Sequence, residues 1–104
     1  MQYIIMLWHP PDVSPLSNKT VREASNKTWS QLPALRQKYG VEVIAGYHLD
    51  LEHKAMVVVE APSAEAVRDF LYESGFMQWN DARIYLTRPL HEVRQWTMKQ
   101  PTIF

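Results

Sequence analysis

The chain has 104 residues, 11 basic and 11 acidic side chains, 46% hydrophobic residues, no cysteine and four tryptophans. That length supports one core and leaves no room for a separate cofactor domain. The balanced charge argues against a partner held mainly by electrostatics, such as duplex nucleic acid or an anionic membrane, and the lack of cysteine excludes disulfides, thiolate metal sites and thiol nucleophiles.

In chain order, Gln2–Trp8 reads as a strand, apolar on both faces and bounded by His9-Pro10-Pro11. It lacks the basic flank and cleavage site of a signal peptide. No apolar run reaches the roughly 18 residues of a membrane span, so the cytoplasm is the expected location. The proline-rich stretch His9–Ser17 is a surface loop. Ser17 or Asn18 caps a helix whose stripe is Val21, Ala24, Thr28, Leu32, Leu35 and Tyr39, with Gly40 as its left-handed stop. Pro33 removes one helical bond, predicting a kink or break near Trp29–Pro33.

Val41–Leu49 and His53–Ala61 read as a hairpin joined at Asp50-Leu51-Glu52. Strict alternation gives Val41, Val43, Ala45, Tyr47, Ala55, Val57 and Val59 to one face, and Ile44, Gly46, His48, Met56 and Val58 to the other. Ser63 caps a second helix with stripe Ala66, Val67, Phe70 and Leu71, stopped by Gly75. Phe76–Asn80 is an aromatic-rich connection. Asp81–Arg88 alternates as a fourth strand, with Ala82, Ile84 and Leu86 opposed to Arg83, Tyr85 and Thr87. Leu90–Met98 is a short helix before a tail ending in Ile103-Phe104.

The order βαββαβ predicts a ferredoxin-like α+β sandwich, an antiparallel four-stranded sheet with two helices on one face. The domain is expected over residues 1–93, with 94–104 as a C-terminal tail. Two helices cover only one sheet face, yet three strands are apolar on both. The second face is therefore expected to pair with a second copy, and burying ~600 Å² there is worth about 15 kcal/mol before association costs.

Gly46-Tyr47-His48 late in strand two, Val58-Val59-Glu60-Ala61-Pro62-Ser63 closing strand three, then Ala66, Val67 and Phe70, and Trp79 before the last strand, form an ordered set. Together they resemble the small domains of the dimeric α/β-barrel superfamily, near the GYD-domain proteins. The resemblance spans residues 2–93. It implies a homodimer with a cavity between the sheet and helices of each subunit, on a fold shared with muconolactone isomerase and several monooxygenases, and it implies no one chemistry. His48 departs from the GYD pattern, which has Asp there.

His48 is the candidate general base, because imidazole titrates near neutrality; a histidine satisfied by a neighbouring carboxylate or backbone group is the structural alternative. Trp8, His9, Tyr47, Trp79, Arg83 and Tyr85 are the candidate ligand-binding residues. Trp8-His9 ends a strand at a loop where a cavity mouth forms, and Arg83 and Tyr85 on strand four suit a carboxylate or a partner subunit. The aromatics Trp8, Trp29, Phe70, Phe76, Trp79 and Tyr85 suit one cavity for a small planar ligand, or core packing. Arg36 reads as a solvated or inter-helix ion pair.

His91-Glu92-Val93-Arg94-Gln95 lacks the second histidine of a zinc helix, and the four histidines fall on different elements, so no metal is expected. No catalytic triad order, phosphate loop or RNA-binding pattern is present, so neither a cofactor nor a nucleic acid is expected. The expected function is binding of a small apolar or aromatic ligand by a homodimer. Two alternatives remain open: a cofactor-independent isomerase or monooxygenase, and a subunit of a larger assembly docked through Trp96–Phe104.

Overall fold

The computed structural model describes residues 1–104. Its elements are β1 (Gln2–Trp8), α1 (Lys19–Tyr39), β2 (Glu42–Leu49), β3 (Lys54–Glu60), α2 (Ala64–Ser74), β4 (Asp81–Thr87) and α3 (Leu90–Met98), with single 3-10 turns at Pro11–Val13 and Phe76–Gln78. The sheet is antiparallel throughout, in the order β2-β3-β1-β4. This is the expected ferredoxin-like α+β arrangement with one helix added. That helix, α3, runs unbroken through residues 93 and 94.

Local chemistry sets the helix ends. The Asn18 side chain accepts from the Val21 amide at 3.1 Å and opens α1. Gly40, at φ 67°, closes it. Ser63 accepts from the Ala66 amide at 3.1 Å to open α2, and Gly75, at φ 95°, ends it. The break expected at Pro33 does not occur, for α1 continues to Tyr39. One missing amide removes one bond in a 21-residue helix, and packing of the Leu35 face holds the remainder.

Tyr3, Ile5 and Leu7 on β1 point at the helices, where they meet Val59 on β3, Leu35 on α1, and Val67, Phe70 and Leu71 on α2. On β4, Ala82 and Ile84 join this face as the alternation predicted. The β2 alternation does not hold. Val43 opposes Val59, but Ala45 opposes Val58, so Ile44 is an extra residue without a partner. This bulge reverses every position after it. Gly46 and His48 share the helix-facing side with Val57 and Ala55, whereas Ala45 and Tyr47 lie on the opposite side with Val58 and Met56.

That opposite side is the open face of the sheet, carrying Ile4, Met6, Trp8, Met56 and Val58 at the centre and Tyr47 and Tyr85 toward the edges. No helix covers it, and α3 buries none of its own residues. The molecule measures 55 × 31 × 19 Å, and its 16.5 Å radius of gyration exceeds the roughly 13 Å of a compact chain this long. Leu90, Trp96, Met98, Ile103 and Phe104 are all exposed on the C-terminal arm.

Two contacts fasten α1 to α2. A Cβ at Gly75 would lie 2.9 Å from Thr28 Oγ1, so glycine permits both the close approach and the positive φ. Gly46, by contrast, has open space where its Cβ would be and no positive φ. Gly75→Ala is therefore expected to cost about 2 kcal/mol in urea unfolding, while Gly46→Ala is neutral to slightly stabilising. Equal stability of the two variants would contradict this packing.

The second contact is polar. Lys38 Nζ donates to both carboxylate oxygens of Glu73 at 2.8 and 3.0 Å, and Tyr39 Oη donates to the same carboxylate. The Lys38 hydrogen bond, then that of Tyr39, holds the Glu73 carboxyl below its ordinary 4.5. A lowered carboxyl stabilises the fold fully above pH 4.5, and the contribution disappears as pH falls through the lowered value. All three groups are solvated, so the effect is small and salt-sensitive. The melting-temperature gap between wild type and Glu73→Gln should narrow on acidification and in high salt; a constant gap would refute the ionic account.

Candidate functional site

A cavity of about 300 Å³ lies between the helix-facing side of the sheet and the two main helices. Ile5, Leu7 and Val57 form its floor, Trp29 and Leu32 the α1 wall, and Phe70 the α2 wall. Gly46 is the reason it is hollow. The bulge turns Gly46 inward where a side chain of β2 would otherwise stand, and turns Tyr47, large enough to plug the space, outward. Such a volume and apolar lining match a compact organic ligand.

Arg36 is the one charged side chain lining the cavity. The ion pair expected for it is absent: its guanidinium pairs with no carboxylate. The last turn of α1 and the cavity mouth hold it half-buried.

A second compartment of about 140 Å³ adjoins the first and shares Leu7, Trp29 and Phe76 with it. This end is polar. His9, His48 and His53 line it together with Trp79 and Asn80. His9 Nδ1 lies 2.8 Å from Asn80 Oδ1, and the His9 and His53 rings meet edge to face with centroids 5.6 Å apart. The His9 amide donates to the His53 carbonyl at 3.2 Å, tying the end of β1 to the hairpin turn. His53 itself has φ 49°, an unfavourable value for a residue with a Cβ. His48 reaches this compartment from β2, but its Nδ1 pairs with Asp50 Oδ1 at 3.0 Å and most of the side chain stays in solvent. Phe76 stacks at a tilt on Trp79 and edge-on to Trp29, an aromatic cluster where the two compartments adjoin.

The candidate residues thus divide into two groups. His9, His48 and Trp79 converge on the polar compartment. Trp8, Arg83 and Tyr85 instead meet on the open face, around a shallow depression they share with Met6 and Lys54, where the Arg83 guanidinium lies 5.6 Å over the Trp8 ring. Tyr47 is on that face too. The single aromatic cavity expected for Trp8, Trp29, Phe70, Phe76, Trp79 and Tyr85 is therefore corrected: Trp8 and Tyr85 lie on the far side of the sheet. Trp8 follows from simple alternation with the inward Leu7. Arg36, Gly46, His53 and Asn80 were missed. Gly46 needed the bulge, and Asn80 carries a signal only once Trp79 is known to be buried beside it.

No protein-family model matches the sequence, and no curated protein matches it. Among solved structures the chain is similar to the crystal structure of muconolactone isomerase, with a TM-score of 0.60 over 86% of this chain and 91% of that one, at 15% identity. This likeness establishes a shared ferredoxin-like fold. The finer kinship with GYD-domain proteins has no family match behind it. No helix is long and apolar enough to cross a membrane.

If Gly46 holds the cavity open, xenon should enter it and shift the methyl resonances of Ile5, Leu7 and Val57. Gly46→Leu should abolish those shifts while leaving the fold intact by circular dichroism. Shifts that persist in the variant would place the hollow elsewhere.

Proposed function

We propose that this protein is a small-molecule-binding homodimer of the dimeric α/β-barrel type, each subunit holding one compact apolar or aromatic ligand between sheet and helices. The observation that carries this reading is the cavity kept open by Gly46. The unpaired Arg36 at its mouth favours a ligand bearing a carboxylate, since a half-buried guanidinium gains most from a planar anion. The uncovered sheet face, with Ile4, Met6, Met56 and Val58 at its centre, supports pairing with a second copy. The cytoplasm is the proposed location.

A second reading, a cofactor-independent isomerase or monooxygenase, is favoured by one specific feature: three histidines line the compartment that adjoins the apolar cavity. Imidazole beside a bound enol or lactone is what proton transfer requires. In this reading His48, or a histidine next to it, is the base.

Native mass spectrometry of freshly purified protein tests the dimer and the ligand together. The expected result is dimer mass with a small releasable adduct on each subunit, the adduct lost in Arg36→Gln. Val58→Glu puts a charge on the open face and should yield a folded monomer. Monomer mass for wild type at micromolar concentration overturns the dimer. An empty wild-type protein that also fails to take up a panel of aromatic acids overturns the ligand.

A further inference from the structure

The polar compartment contains a chain of hydrogen bonds whose direction is fixed by chemistry. The Phe76 carbonyl can only accept. Asn80 Nδ2 donates to it at 3.1 Å, and the Asn80 backbone amide donates to the same oxygen at 3.1 Å. The amide group of Asn80 is therefore anchored with its NH2 toward Phe76, which turns Oδ1 toward His9. Oδ1 has no proton to give, so the 2.8 Å contact requires His9 Nδ1 to be the protonated nitrogen. In the neutral ring Nε2 is then bare, and no protein group donates to it.

We infer that His9, rather than His48, is the hydrogen-bond acceptor of the site, and that the cavity selects ligands presenting a weakly acidic hydroxyl, a phenol or an enol, on an apolar body. The inference rests on the cavity reading proposed above and adds to it a second polar contact, at His9, besides the one Arg36 offers at the mouth. His9 has what His48 lacks. Its tautomer is set by a neutral amide, its backbone is tied to His53, and its ring packs edge-to-face with the His53 ring. His48 is paired with the exposed Asp50 across two residues of chain at the solvent side of the turn. Asn80 is a positioning residue here: it acts through His9.

Two measurements separate this inference from the cavity reading. The first needs no ligand. Long-range nitrogen–proton correlation spectra of the imidazoles, taken where they are neutral, should show His9 protonated at Nδ1. The pattern should persist in Asn80→Asp, which still offers an acceptor, and move toward the Nε2-protonated form in Asn80→Leu. A wild-type His9 protonated at Nε2 overturns the assignment whatever the cavity binds.

The second compares 2-naphthol with naphthalene by fluorescence titration. Wild type should prefer 2-naphthol about ten-fold, the gain of one added hydrogen bond to imidazole. His9→Phe and Asn80→Leu should erase the preference and keep naphthalene affinity, whereas His48→Ala keeps the preference. Gly46→Leu should lose both probes. Equal wild-type affinities, or a preference lost in His48→Ala and retained in His9→Phe, overturn the role of His9. Failure of both probes to bind wild type overturns the hydroxyl ligand class inferred here, and the cavity reading falls with it only if the panel of aromatic acids also fails to bind.

Discussion

The single extra residue between Val43 and Ala45 determines which half of β2 faces the helices, and the character of both sheet faces follows from it. With unbroken alternation, Tyr47 would stand inward opposite the β3 core row and fill the space under α1. The bulge instead presents Gly46 to that space and sends the phenol to the open face. A side-chain period of two makes the effect all-or-none, because one inserted residue exchanges the two faces for the remainder of the strand. β2 is an edge strand, where an unpaired residue costs least in ladder hydrogen bonds. One local irregularity thus yields a hollow on the helix side and an added aromatic on the other.

The two faces separate the chemistry. The helix side holds the apolar cavity, the unpaired guanidinium of Arg36 and the histidines at the strand end. The open side holds Trp8 under Arg83, with Met6, Lys54 and Tyr85 around them. Trp8 and His9 are adjacent in sequence and serve different faces. The break falls where β1 ends: Trp8 still follows the pleat, whereas His9 has left it and is held by the His53 carbonyl and Asn80.

Much of this architecture was readable from residue order. The seven residues of β1, the caps Asn18 and Ser63, the stops Gly40 and Gly75 and the polar row of β4 all rest on short-range rules of period, capping and left-handed glycine. The site was legible only in part, because it depends on long-range facts. His9 and Asn80 are 71 residues apart and meet only through the β1–β4 pairing, Trp8 opposite Asp81. The bulge has no signature in the apolar run Val43-Ile44-Ala45, which offers no polar residue to mark the slip. At Pro33 the opposite holds: the local rule that allows a break was outweighed by the packing of α1, which continues to Tyr39.

The hollow also bears on stability. A hollow lined by Leu, Val and Phe forfeits dispersion contacts that a side chain could make, and glycine within a strand adds a backbone-entropy cost. Both losses would be relieved by almost any apolar residue at position 46, where a Cβ meets nothing within 4 Å. Structure alone imposes no requirement for glycine there, in contrast to Gly75, where positive φ and the Thr28 hydroxyl leave no alternative. A ligand in the cavity supplies the missing contacts and, by binding only the folded chain, shifts the folding equilibrium in its favour. The cavity is thus a place where this small domain forgoes stability that its own side chains could provide, and that a bound compact apolar molecule would restore.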